Sequence, residues 1–423
     1  MKSTYRLTGT ALVVLLAGCG GSQASPGSAA LPNTRSNAVA FSGTGSEQIL
    51  YSFTGGNDGG NAATGIAVDR TGNLYGTTVV GGTYTCGTVF ELASQASPPW
   101  PETVLYNFTC YGDGKSPHGG VTFDRRSQIL YGTTVAGGSG YCTGDGCGVA
   151  YQLTGQLESV VHDFGSGSDG FGPGGPLAFD SAGHAYGTTP DGGSYSQGIV
   201  YELSQSRRVW HEKVLHAFTG GADGGVGSLG PLLLDKGGHV YGVTEEGGAQ
   251  SAGTVFELSQ KSKKSWNLTT LYAFKGTPDA GNPYGGLVAD ASGDLFGTTY
   301  YGGTSGYGTV FELVRHGKNK YAERVLYSFK GGTDGSSSTS TLLLTASNEL
   351  FGTTSAGGGT CDCGTIFEVN AKTGKEKILH AFGNGSDGQY PYYGLAQDAS
   401  GRLYGTTVAG GAHGQGAVFE FMP

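Results

Sequence analysis

Short apolar runs separated by polar, glycine-rich breaks organise this chain, and four kinds of run return in a fixed order. The first is Ile49-Leu50-Tyr51-Ser52-Phe53, echoed at 104–108, 160–164, 214–218, 271–274, 325–329 and 378–382. The second is Gly65-Ile66-Ala67-Val68-Asp69, echoed among other places at 176–180, 231–235 and 286–290. The third is Leu74-Tyr75-Gly76-Thr77-Thr78, and the fourth is Gly87-Thr88-Val89-Phe90-Glu91-Leu92. Each spans 4–6 residues, favours β-branched and aromatic types, and is bounded by Gly, Asp, Asn or Ser, which is the pattern of a strand. No segment carries a capped apolar period of 3.6 residues, so almost no helix is expected.

The third run fixes the architecture. Its aromatic recurs at Tyr131, Tyr186, Tyr241, Phe296, Phe351 and Tyr404, giving seven copies spaced 53 to 56 residues apart. A period of that length belongs to propellers and arrays, and a parallel β-helix would need a much shorter coil. Four short strands in each of seven repeats predict an all-β fold, a seven-bladed β-propeller. With the second, third and fourth runs named strands A, B and C, the first run becomes strand D of the preceding blade. The last repeat ends after its strand C at Phe421, so strand 49–53 is expected to supply the missing D and remove an open edge. The aromatic column is expected to pack between blades, and Gly76 to mark a close approach.

Composition agrees and adds an address. The chain has 82 Gly but no strict triplet period, and too many regularly placed Tyr, Phe and Leu for disorder. A net charge of −9 leaves no basic stripe for nucleic acid. Lys2 and Arg6, the apolar stretch 7–16 and Leu16-Ala17-Gly18-Cys19 read as a bacterial lipoprotein signal peptide over 1–18, with acylation at Cys19. That predicts an envelope protein anchored in a lipid bilayer. Residues 19–48, rich in Ser, Gly, Ala and Pro, read as a flexible tether, and 49–421 as the propeller.

The tandem Leu-Tyr-Gly-Thr-Thr-x-x-Gly-Gly, Gly-Thr-Val-Phe-Glu-Leu and Leu-Tyr-x-Phe copies, with their Asp-Gly turns, resemble the GloVer tandem-repeat family of bacterial secreted and surface proteins. The resemblance covers roughly 49–421 and implies a propeller; it brings no catalytic residues to carry over.

Candidate sites lie in the loops. The D-to-A loops hold Asp58, Asp113, Asp169, Asp223, Asp279, Asp334 and Asp387, nearly all followed by Gly. The expected role is an Asx-turn; the alternative is a set of carboxylates for Ca²⁺ or a cationic partner. The same face takes Asp145, Asp191, Glu245, Glu246 and Asp362, while basic residues such as Arg207, Arg208, Lys263 and Lys264 fall in C-to-D connections, which predicts one acidic face. Tyr390, Tyr392 and Tyr393 form an aromatic cluster suited to stacking on a sugar or to packing. His162, His216 and His380 occupy a column that is otherwise Tyr and read as structural substitutes. Beyond Cys19, Cys86–Cys110 is an expected disulfide if strands C and D pair about a centre near residue 98, and Cys142–Cys147 closes a small loop. Cys361 and Cys363 are too close for an unstrained bridge and read as a labile bridge or free thiols.

No nucleophile elbow, zincin helix or phosphate loop is present. The expected function is a monomeric, non-catalytic binding scaffold for a protein, glycan or cation, with no cofactor beyond the Ca²⁺ alternative. The alternative function, a polysaccharide hydrolase or lyase in the propeller funnel, rests on analogy of fold. An enzyme is expected to break repeat symmetry near the channel mouth.

Overall fold

The computed structural model describes residues 45–123, 129–142, 144–165, 167–262, 265–383 and 386–423. The signal peptide, most of the tether and Lys263-Lys264 therefore lie outside the described residues. Every regular element described is a strand. Seven antiparallel sheets each run A-B-C-D, as in blade 1 with Ala67–Val68, Leu74–Thr78, Thr88–Leu92 and Glu102–Asn107. Strands A touch between blades 1 and 2, 3 and 4, 5 and 6, and 7 and 1, and the ring is a seven-bladed propeller.

The ring closes as the unpaired ends of the repeat require. Ser46–Ser52 is strand D of blade 7 and pairs with strand C at Ala417–Met422, from Ser46 opposite Met422 to Ser52 opposite Ala417. The Phe53 N–H continues the ladder to the Gly416 carbonyl at 3.0 Å. The strand begins three residues earlier than the apolar run suggests, because the polar Ser46–Gln48 still find ladder partners.

One contact holds every blade to the next. The Phe ending each strand D stands edge-on against the strand C aromatic of the following blade. The pairs are Phe53–Phe90, Phe108–Tyr151, Phe164–Tyr201, Phe218–Phe256, Phe274–Phe311, Phe329–Phe367 and Phe382–Phe419, with ring centroids 5.0–5.4 Å apart. Such edge-to-face pairs add about 0.5–1.5 kcal/mol each beyond their area. The strand C ring lies over the glycine of strand B, its cross-strand partner, as Phe90 does over Gly76. A Cβ at Gly76 would meet the Phe90 ring at 2.6 Å, and one at Gly242 would meet Phe256 at 2.5 Å. The motif's glycine is the floor on which the inter-blade aromatic lies.

Both threonines of the motif are structural as well. The first donates its hydroxyl to a carbonyl of the next blade, as Thr77 does to Pro117 at 2.8 Å and Thr298 to Ser340 at 2.8 Å. The last blade makes the same bond back to the first, from Thr406 to Thr64. Blade 4 has Val243 at this position and so no hydroxyl to give. The second threonine closes the B-to-C turn, Thr78 Oγ1 donating to the Val80 carbonyl at 3.1 Å and accepting from the Thr88 N–H at 3.2 Å. The aromatic column packs between blades, with Tyr75 against Phe123 and Tyr186 against Trp266.

A bulge in the C–D ladder recurs in all seven blades, between Val89 and Phe90 in the first. It reconciles Leu50 with Phe53. Three residues apart, these would face opposite sides of an even strand, and one extra residue returns both to one core. The bulge also corrects the register about a centre at residue 98: Leu92 pairs with Glu102, not Val104. Cys86 and Cys110 are still joined, with Cα atoms 5.4 Å apart, because both lie past the bulge.

Gly242→Ala is expected to destabilise the fold by about 1–3 kcal/mol through overpacking, despite the ordinary strand backbone there, and denaturant titration reads it. Deletion of 46–52 opens the ring, and the thermal transition should drop sharply or split.

Candidate functional site

The D-to-A and B-to-C loops come together on one face. Short antiparallel pairs tie them in every blade, from Gly60 with Val80 in the first to Gly388 with Gly410 in the last. Three residues after each loop aspartate the backbone turns left-handed, at Asn61, Ser116, Gly172, Val226, Asn282, Ser337 and Tyr390, with φ between 55° and 71°. That conformation reverses the chain towards strand A.

Each loop aspartate is tied into its own turn. Its Oδ2 accepts the backbone N–H four residues before it and bonds the ring seven residues before it. For Asp58 these are Thr54 N at 2.8 Å and Tyr51 Oη at 3.1 Å. Asp113, Asp279 and Asp334 repeat this with Tyr106, Tyr272 and Tyr327 at 2.9–3.0 Å. Asp169, Asp223 and Asp387 meet His162, His216 and His380 at 2.9–3.3 Å. Histidine replaces tyrosine because its Nε2 reaches the same carboxylate oxygen. The seven carboxylates are thus held one per junction between blades.

A second acid at these junctions has no signal in the strand pattern. Strand D carries a glutamate four residues before the Tyr or His, at Glu47, Glu102, Glu158, Glu212, Glu323 and Glu376; Leu268 stands there in blade 4. Each of the six has a buried Oε1 without a hydrogen-bond partner. Burial, then the aspartate of the preceding loop, pushes Glu102, Glu158, Glu212 and Glu376 up to about 7 and Glu323 to about 8.

Near the ring axis the repeat symmetry breaks. The residue after Leu-Tyr-Gly-Thr-Thr is Val79, Val135, Pro190, Tyr300, Ser355 or Val408 in six blades and Glu245 in blade 4. Glu245 is 3% exposed, its Oε2 has no hydrogen-bond partner, and burial raises its carboxyl well above the usual range, helped by Glu246 and Asp191. It acts electrostatically on Tyr284 of the loop into blade 5 and on Tyr393 of the loop into blade 7; burial is the larger cause raising both phenols. Blades 4 and 7 are not neighbours, so this interaction acts across the ring's central axis. Tyr300 and Tyr392 join them, and Tyr390, Tyr392 and Tyr393 also pack on Ala63, Val79 and Val408. His118 holds the rim position corresponding to Tyr284, and burial pushes it down to about 4. Further out, a cleft of about 540 Å³ lies between blades 2 and 3, with Tyr141, Phe171, Ser168, Ser194 and Ser196 in its wall. The Cys142–Cys147 disulfide sits beside it, and Cys361–Cys363 is also joined, its Cα atoms 5.1 Å apart.

The Gloeobacter/Verrucomicrobia repeat profile matches residues 32–230, 141–321 and 228–423. The chain belongs to that repeat family. No curated protein matches this family member. Among solved structures it is similar to the periplasmic gluconolactonase of Pseudomonas aeruginosa, with 15% identity, TM-score 0.46, and 81% of this chain and 94% of that one covered. A protein of unknown function from Dyadobacter fermentans matches at 10% identity and TM-score 0.46, covering 89% and 97%. An α-L-arabinofuranosidase from Fusarium graminearum matches at 12% and 0.43, covering 71% and 92%. At these values the likenesses say nothing of what this repeat protein does.

The junction glutamates predict a pH dependence. A carboxyl raised in the folded state binds its proton more tightly there than in the unfolded chain. Its stabilising contribution is full below about pH 4.5 and is lost as pH rises to about 7–8. Asp69, Asp180, Asp235 and Asp398 run the other way: burial raises them, but hydrogen bonds outweigh it, so their contribution is lost below the ordinary carboxylate range, outside that window. Thermal stability is therefore expected to fall between pH 5 and pH 8, and Glu102→Gln to reduce that slope and raise stability at pH 8. Differential scanning calorimetry across the range measures both.

Proposed function

We propose that this chain is a lipid-anchored envelope protein whose propeller is a non-catalytic binding scaffold, presenting the D-to-A and B-to-C face to a glycan or protein ligand. The observation that carries the reading is the placement of exposed aromatics. Tyr84, Tyr111, Tyr141, Tyr195, Tyr301 and Tyr307 are 48–87% exposed, and all six belong to loops or strand ends of that one face. The exposed apolar residues at the other end, Leu157, Val209 and Met422, are isolated aliphatics. Tyrosine supplies large, rigid contact area with a polar tip at low entropic cost, which is why it is enriched where proteins bind ligands. The cleft beside Tyr141, with Phe171 for stacking and three serine hydroxyls for hydrogen bonds, has the mixed lining that a sugar needs. Anchoring rests on Cys19 and its signal sequence.

A second reading, a polysaccharide hydrolase or lyase, draws on Glu245. It is a buried carboxyl at the symmetry break with an unpartnered oxygen, and its raised affinity for a proton suits a general acid.

A glycan array probed with the purified protein separates the readings. Binding is expected, with Tyr141→Ala or Tyr195→Ala weakening it tenfold or more while Glu245→Gln leaves it intact. Turnover of any glycan, abolished by Glu245→Gln, would replace the scaffold with the enzyme. Metabolic acyl labelling lost in Cys19→Ser checks the anchor.

A further inference from the structure

One blade junction brings three metal-ligating side chains together. Where blade 6 meets the closing strand, Glu47, His380 and Asp387 each bring a ligand atom to within 4.8 Å of the other two. Asp387 is oriented in advance, its Oδ2 accepting the Gly383 N–H at 2.7 Å and its Oδ1 the Gly388 N–H at 2.8 Å. The imidazole is braced edge-on by Phe382, with centroids 4.8 Å apart. Its Nε2 lies 3.3 Å from Asp387 Oδ2. Two ligands of one tetrahedral zinc ion, each at about 2.1 Å, stand about 3.4 Å apart. The pair is already spaced to chelate, and the Oε1 of Glu47 is buried and unbonded beside it.

We infer that Glu47, His380 and Asp387 bind a divalent transition-metal ion such as Zn²⁺, with water completing its shell, and that the ion clamps the closing strand to the loop after blade 6. The donor set favours this class. One imidazole and two carboxylates suit zinc and its neighbours, whereas Ca²⁺ takes six to eight oxygens. The ion occupies the place of the hydrogen that His380 Nε2 shares with Asp387, and it neutralises two carboxylates that otherwise face each other.

The remaining junctions show what the site requires. Four present a phenol in place of the imidazole, at Tyr51, Tyr106, Tyr272 and Tyr327. The junction of His216 and Asp223 lacks the glutamate, since Leu268 stands in its place. Glu212, His162 and Asp169 repeat the residue types between blades 2 and 3, but among the described residues the three-atom convergence is found at the closing junction. The clamp joins residue 47 to residues 380 and 387, so it acts on ring closure.

The test is the melting temperature of the purified, chelator-treated protein with Zn²⁺, Mn²⁺ or Ca²⁺ added, beside calorimetric titration of Zn²⁺. Zinc at a hundredfold excess over Kd is expected to raise the transition by about 3 °C with one ion per chain. Glu47→Gln and His380→Tyr should abolish the shift. The second variant installs the residue that four other junctions carry, so the fold accommodates it. Glu102→Gln, at a phenol junction, should keep the shift. The inference fails if Zn²⁺ gives no shift, if Ca²⁺ gives an equal one, or if Glu47→Gln still binds one zinc with wild-type affinity.

Discussion

A phenylalanine from one blade meeting an aromatic ring of the next, above a glycine with no side chain to obstruct it, is the contact on which this molecule depends. Each of its three parts constrains the others. The ring of strand C needs the missing Cβ of Gly76 or its equivalents to lie flat. The strand D phenylalanine needs that ring as its partner, and a bulge to face it. Removing any one part opens a seam between two blades. The threonine-to-carbonyl bonds add direction to the seam but little apolar area.

This dependence explains which parts of the repeat vary. The strand B aromatic is Tyr or Phe, since it packs against the next blade with either; where it is Tyr, as at Tyr75, the hydroxyl also reaches the turn aspartate Asp69 at 3.3 Å. Thr345 replaces that aspartate in blade 6, and its hydroxyl accepts the Glu349 N–H as Asp69 accepts that of Asn73. Near the end of strand D His and Tyr exchange because each bonds the carboxylate of the loop that follows. Variation is free wherever the hydrogen-bonding geometry survives it.

The architecture was legible because its signals are local. Seven aromatic–Gly–Thr copies count the blades, and an unpaired run at each end of the repeat announces the closure. The bulge was not legible: Leu-Tyr-x-Phe fits a strand of either parity until its partner is known. The junction glutamates were hidden for a related reason, since a polar residue on an outer strand looks solvent-facing and its burial is imposed by the preceding blade. The loop aspartates were found, but the Asx-turn expected of them is not what forms: each carboxylate accepts the N–H four residues before it, where an Asx-turn takes one from the residues that follow. Glu245 was visible as one more acid on that face. Its singularity follows from comparing it with Val79, Val135 and Val408 in the same column, and Tyr393, one of the tyrosines it acts on, belongs to a blade on the other side of the axis.

The closing strand also sets an order of events. A chain made from its N-terminus presents Ser46–Ser52 first and Ala417–Met422 last. Six blades draw all four strands from one continuous stretch of chain, while the first strand remains without a partner until Ala417–Met422 has been made. The earliest part of the propeller to be synthesised is therefore the last to be built in, and throughout that interval it is a bare strand edge attached to a nearly finished ring.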